Sequence, residues 1–182
     1  MATKFDIVSQ ALLLIGEQPI SSFSEGVSGL VASNLYDTTR DSFLTQTRWR
    51  FAVGKKQLSQ LVATPLNEWK YAYQLPSDML MPISVYPKAR YEIYEDKLYT
   101  HQNTIELDYI FRPDEAAFPA YFIEALAARL AEKFAIPITN NQTLREAMQV
   151  TAQDSYRSAA YKDAQGRPPQ AIKHRPFIQV RG

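Results

Sequence analysis

The sequence contains no cysteine. That absence removes disulfides, thiolate zinc sites and cysteine nucleophiles together. Histidine is almost as scarce: His101 and His174 are the only two. Neither has a second histidine or a carboxylate at a ligand spacing, which argues against a metal centre. The six glycines are scattered, and no G-x-x-x-x-G-K run exists to cradle a phosphate. No apolar run approaches the roughly 20 residues that cross a bilayer; ALLLIG is the longest and is far too short. The N-terminal MATKFDIVSQ sets Asp6 and polar residues ahead of that run, so a signal peptide is not expected. An excess of either charge is also lacking. The net charge is +1, and bulk electrostatics does not make the chain a nucleic-acid binder. The expected compartment is a cytoplasm, or an assembly made in one.

What remains is an ordinary core-forming composition. The 182 residues are 46% hydrophobic and 21% charged, which fits one domain, or one domain with an inserted subdomain. Helical spacing marks both ends of the chain. Phe5, Ile7, Val8, Ala11, Leu12 and Ile15 recur every three or four residues, and Gly16 and Pro19 close that helix. A second, long helix is expected from about Val27 to Trp49, with Val27, Leu30, Val31, Leu35, Thr38, Ser42 and Gln46 along one row. A third starts at Pro119 with Phe122, Leu126, Leu130 and Phe134, and is expected to end at Pro137. Asn140 or Asn141 can cap a fourth, which Gly166 terminates.

Between these pairs the period changes. Trp69, Tyr71 and Tyr73 alternate as in a half-buried strand. LPSDML reads as a Pro-initiated turn, and residues 89–111 as a three-strand meander with Tyr91, Ile93, Leu98, Ile105, Leu107 and Tyr109 inward. The expected fold is α+β, mainly α. Residues 1–52 and 113–165 would form a four-helix bundle, 53–112 an inserted antiparallel β subdomain, and 166–182 an extended C-terminal arm.

Catalytic patterns are weak throughout. FSEGVSGL carries Ser24, Glu25 and Ser28 but lacks the strand–turn–helix setting of a nucleophile elbow. The pairs Glu95-Asp96 and Asp114-Glu115 fall in turns, where acids are common and solvated. Glu124 and Glu132 share a helix face with Arg129 and Lys133, which reads as a salt-bridged surface. Of the eleven tyrosines, Tyr71, Tyr73, Tyr91, Tyr94, Tyr99 and Tyr109 crowd the β region beside Glu92, Glu95, Asp96, Glu106 and Asp108. That face should repel phosphate, so core and interface roles are expected of them. TRWRF flanks Trp49 with two arginines at a helix end, where Trp49 is expected to anchor the helix to the β region.

The last eighteen residues, QGRPPQAIKHRPFIQVRG, differ from all of this. They hold three prolines, four basic residues and no acid. Residues 162–182 carry Lys162, Arg167, Lys173, Arg175 and Arg181 against Asp163, so the rest of the chain sums to −3. Yet Phe177, Ile178 and Val180 sit near the very end. Such an arm cannot fold alone, and its apolar residues point to pockets on a neighbour. Arg167, Pro168, Pro169, Lys173, Arg175, Pro176, Phe177, Ile178, Val180 and Arg181 are therefore the expected partner-binding residues.

Five ordered stretches resemble the tail tubular protein A family, the head-to-tail adaptors of short-tailed bacteriophages. They are ALLLIGEQPISSF, YDTTRDSFLTQTRWRFA, YQLPSDML, YEIYEDKLYTHQNTIELDYIFRP, and FPAYFIEALAARLAEKFAIPITNN followed by DAQGRPP. Together they run from near residue 11 to 169. The final QAIKHRPFIQVRG matches no family pattern. The resemblance implies a virion structural protein and no enzyme, cofactor or metal. It implies a closed homo-oligomeric ring, usually a dodecamer, at the head-to-tail junction. Its partners would be the portal protein, a tail nozzle protein of the tail tubular protein B kind, and further copies of itself. DNA would pass through the lumen, and no membrane is involved. An acidic body suits such a channel, because positive walls would hold phosphates. A small DNA-binding module working through the basic arm is the alternative, and a small Ser/Asp/Glu hydrolase has the least support.

Overall fold

The computed structural model describes residues 2–63, 65 and 68–166. Among these are four α-helices and two antiparallel sheets, a mixed and mainly helical fold. In chain order the elements are α1 (Lys4–Leu14), α2 (Gly26–Thr45), β1 (Val53–Gln57), β2 (Ser59–Gln60), β3 (Tyr71–Gln74), β4 (Met79–Tyr86), β5 (Tyr91–Tyr94), β6 (Lys97–Thr100), β7 (Glu106–Phe111), α3 (Ala120–Thr139) and α4 (Gln142–Gln165). Short 3-10 turns at Arg50–Ala52 and Glu115–Ala117 join the helices to the strands.

Helix α1 starts on a capping box. The Thr3 hydroxyl accepts from the Asp6 N–H, and the Asp6 carboxylate accepts from the Thr3 N–H at 2.8 Å. Ile7, Val8, Ala11 and Leu12 are fully buried on one side. Gly16 stands just beyond the end at φ 82°, the left-handed position where glycine costs least. Helix α2 stops earlier than its sequence suggests, at Thr45 and not at Trp49. The buried side also differs from the expected row. Val27 and Leu30 are about two-thirds exposed, whereas Gly29, Ala32, Tyr36, Thr39, Arg40, Phe43 and Leu44 face inward. Small residues set this face at the helix start, because the preceding loop lies directly on it. A Cβ placed on Gly29 would come within 2.8 Å of the Phe23 carbonyl oxygen and 3.0 Å of that of Ser22. Both obstacles are backbone and cannot swing away. Gly29→Ala should therefore destabilise the protein by about 1–3 kcal/mol despite the better helix propensity of alanine. Urea unfolding of the variant would check this, and an unchanged midpoint would mean that the loop yields freely.

Helix α3 keeps the four-residue rhythm seen in its sequence: Phe122, Leu126, Leu130 and Phe134 are all fully buried. It packs extensively on α1, α2 and α4, and those three have few contacts with one another. Pro137 does not end it. The helix runs through that proline to Thr139, whose hydroxyl donates to the Ala135 carbonyl. The missing N–H forfeits one i→i−4 hydrogen bond, and only two helical residues follow it. Asn140 then takes the left-handed C-cap at φ 50°, and the Asn141 side chain caps α4 by accepting from the Leu144 N–H at 3.0 Å. The adjacent asparagines thus close one helix and open the next, giving an antiparallel α3–α4 pair.

The β region departs most from expectation. Strand β5 pairs with β6 as a hairpin, but β7 leaves that sheet. It pairs with β1 and with β4, so one sheet runs β1-β7-β4 and the other β2-β3-β6-β5. The three-strand meander is therefore a hairpin and then a strand that changes sheets. The turn expected over LPSDML is shorter than its sequence suggests, since Met79 and Leu80 already belong to β4. Strand β4 carries Pro82, and it tolerates the missing N–H because it is an edge strand with register shifts flanking that residue. The chain passes between the sheets at Leu58, whose N–H donates to the Ile105 carbonyl at 3.0 Å. Leu58, Tyr73, Leu98, Ile105, Leu107 and Tyr109 fill the space between the sheets. Tyr91 and Ile93, expected inward, pack on this cluster but stay half-exposed. A second, larger cluster joins the helices to the first sheet through Ile110.

Candidate functional site

The described residues offer little for covalent chemistry. None of them form a group of three or more His, Asp or Glu suited to a metal ion. His101 lies against the Trp69 ring at 4.8 Å. Glu25 is engaged by the Ser21 N–H and hydroxyl, and Ser22 and Ser24 bond each other, so this loop organises itself. Glu95 and Asp96 sit at the β5–β6 turn, solvated as expected, with Lys97 3.8 Å and 3.9 Å away. Two of the acids expected to be solvated are not on the open surface. Glu132 is 6% exposed and paired with Arg129, so the face shared with Glu124 is only partly a solvated one. Glu115 is drawn into a cluster.

That cluster ties the helices to the end of β7. Arg40 is 8% exposed and donates to Glu115 at 2.9 Å and to Asp41 at 3.0 Å. Arg112, just past β7, donates to both oxygens of Asp41 at 3.0 and 2.6 Å, and its backbone N–H reaches the Asp78 carbonyl. The Tyr36 hydroxyl also donates to Glu115, and Lys4 of α1 reaches Asp37 at 3.2 Å. Burial and the neighbouring Glu115 push the Tyr36 hydroxyl well above its usual pKa, so it remains a donor. Burial opposes ionisation of Asp41, but the hydrogen bonds from Arg112 and Arg40 outweigh it and hold the carboxyl below its usual value. A depressed carboxyl stabilises the fold above its unfolded pKa of about 4 and loses that contribution as pH falls through the folded value. Arg112→Ala should therefore cost about 1 kcal/mol at neutral pH. The gap from wild type should close below about pH 4. Stability measured across pH 2–7 checks this, and a gap that persists in acid would mean packing, not charge, is at stake.

A second polar centre fixes the end of α4. Asp163 is 4% exposed, and its carboxylate accepts the Arg50 backbone N–H at 3.2 and 3.1 Å and the Tyr121 hydroxyl at 2.8 Å. Burial, then the bond to Asp163, pushes the Tyr121 hydroxyl up to about 12. The Arg50 guanidinium lies over Gly166. Beside this point a cleft of about 400 Å³ opens, lined by Arg48, Arg50, Val53, Ile83, Ser84 and Asp108. Trp49 is fully buried between these arginines, and its indole N–H donates to the Phe43 carbonyl at 3.1 Å. It packs on Phe122 of α3 and Tyr156 of α4, and so locks helices together within the cluster that also reaches the first sheet through Ile110.

The expected partner-binding residues Arg167, Pro168, Pro169, Lys173, Arg175, Pro176, Phe177, Ile178, Val180 and Arg181 lie outside the described residues. What is described is their point of attachment at Gly166. Sequence reasoning missed the buried Asp163. A lone acid in the last turn of a helix, where it opposes the dipole, was the available signal. No protein-family model matches the chain, and no curated protein matches it at a significant level.

Proposed function

We propose that this chain is a structural adaptor that closes into a ring, dodecameric by resemblance, at the head-to-tail junction of a short-tailed phage. It would join the portal to the tail nozzle around a DNA channel, within the virion. On this reading the four helices act as a bundle facing the portal, with the β region inserted at its middle. The observation that carries the reading is the pinned root of the arm. Asp163, Arg50 and Tyr121 hold the end of α4 at the junction of helices and sheet. A segment of three prolines, four cations and four large apolar residues then begins from a fixed point. A rigid base makes a docking arm effective, because less freedom is lost when it binds.

The resembling stretches supply this framework. YDTTRDSF contributes Tyr36, Arg40 and Asp41 to the ion cluster, TRWRF contributes Trp49 and Arg50, and DAQG contributes Asp163 and Gly166. Negative-stain imaging of the purified chain with and without its portal tests the proposal. Rings, alone or on the portal, are expected, and a monomer that ignores the portal would overturn it. The alternative of a DNA-binding module rests on Arg48 and Arg50 lining the cleft near the arm's root. It requires retention on heparin that weakens steeply with salt.

A further inference from the structure

Leu13 and Leu14 are 60% and 45% exposed at the end of a helix whose other face is fully buried. Beside them, between α1 and α3, lies an apolar cleft of about 340 Å³, with Ala127 in its lining and Gln10 and Glu124 also contributing. Its size is at the low end for ligand pockets, suited to a few side chains more than to a cofactor. Resting on the ring reading above, we propose that this cleft receives the end of the arm, Phe177, Ile178 and Val180, from a second copy of this chain.

Charge and chain length support that occupant. The sixteen residues beyond Gly166 carry Arg167, Lys173, Arg175 and Arg181 and no acid, and the exposed carboxylate of Glu124 stands at the cleft. The eleven residues from Gly166 to Phe177 span at most about 40 Å, enough to reach a neighbouring subunit. Direction favours a second copy over the chain's own cleft. Helix α4 runs antiparallel to α3, and Asp163 near its end bonds Tyr121 at the start of α3. Continuing that direction leads past the α3 N-terminus, away from Ala127. Reaching its own cleft would require the chain to turn back within those eleven residues, against Pro168 and Pro169, which each fix φ.

The test uses full-length protein in sedimentation velocity over a range of concentrations. One variant breaks the seat (Leu13→Glu with Leu14→Glu), and one breaks the arm (Phe177→Asp with Ile178→Asp). Because Leu13 and Leu14 are already exposed, the seat variant should fold, and its melting curve verifies this. Wild type should associate as concentration rises, and each variant alone should remain monomeric. Their equimolar mixture should form heterodimers, the intact arm of one meeting the intact cleft of the other. Glu124→Lys should weaken association about threefold at low salt and less at high salt. Variants that associate like wild type overturn the proposal. So does a wild type that stays monomeric while the seat substitutions lower its melting point, because the arm then fills its own cleft. Rings formed by both variants would remove the seat and leave the ring reading standing; heterodimers without rings would do the reverse.

Discussion

Replacing Trp49 with alanine is expected to cost the protein about 3–5 kcal/mol, close to half of a typical domain's stability. The indole is fully buried and is among the largest side chains in the core. Its ring meets Phe43 at 5.7 Å, Phe122 at 5.1 Å edge-on and Tyr156 at 6.0 Å edge-on. These rings come from α2, α3 and α4, so a cavity here loosens three helices together. The loss of the indole N–H also leaves the Phe43 carbonyl without its side-chain donor. In urea the midpoint should fall by about 2 M with little change in slope. Trp49→Phe retains most of the ring contact and forfeits the hydrogen bond, so it should cost about 1–2 kcal/mol. Equal losses in the two variants would show that the hydrogen bond, and not the aromatic packing, carries the effect.

Trp49 also marks where the sequence was and was not legible. Its burial follows from its size and apolarity, and the surrounding aromatic residues suggested a packed environment. Its partners could not be read, because they depend on where α2 ends. The spacing of its apolar residues suggested a helix running to residue 49. The helix ends at Thr45 instead, and a 3-10 turn at Arg50–Ala52 carries the chain into β1. Helix α3 was legible because its apolar stripe is wide and regular, the signature of an element covered on several sides. Helix α2 was not, because its inward face is marked by Gly29, Ala32 and a buried Arg40, and hydrophobic periodicity cannot detect those residues. Burial of Arg40 becomes intelligible only with Glu115 beside it, 75 positions away in the chain. The same limit governed the sheets. A hairpin such as β5–β6 is a local event, fixed by its turn, with Glu95 at φ 55°. The partners of β7 are β1 and β4, and β1 pairs Val53 with Ile110. Such non-local pairing leaves no signal within either strand's own sequence. The polar anchor at Asp163 belongs with these cases: its composition was visible, and its partners Arg50 and Tyr121 were not.

Removing residues 167–182 is expected to separate stability from attachment. Among the described residues two hydrophobic clusters already fill the helical region and the space between the sheets. Among the described residues no buried side-chain nitrogen or oxygen lacks a hydrogen-bond partner. The end of α4 is held by Asp163, which the truncation retains. The melting curve of chain 1–166 should therefore stay within about 0.5 kcal/mol of full length, as for other changes remote from the core. Attachment to the portal, followed by co-sedimentation, should be lost, because arms seated on neighbouring copies would close the ring that the portal binds. The deletion removes Arg167, Lys173, Arg175 and Arg181 and takes the net charge from +1 to −3, so a simple charge effect must be separated from loss of the apolar anchors. A full-length chain with Phe177, Ile178 and Val180 changed to serine does this, because its charge is unaltered. Buried apolar anchors dominate most interfaces, and rim charges mainly tune rate and salt dependence. The triple variant should consequently lose attachment almost as fully as the truncation at physiological salt. Retained attachment in the triple variant would assign the arm an electrostatic role alone. Retained attachment in the truncation would take the arm out of the interface altogether and move the search for it to the exposed faces of α1 and α2.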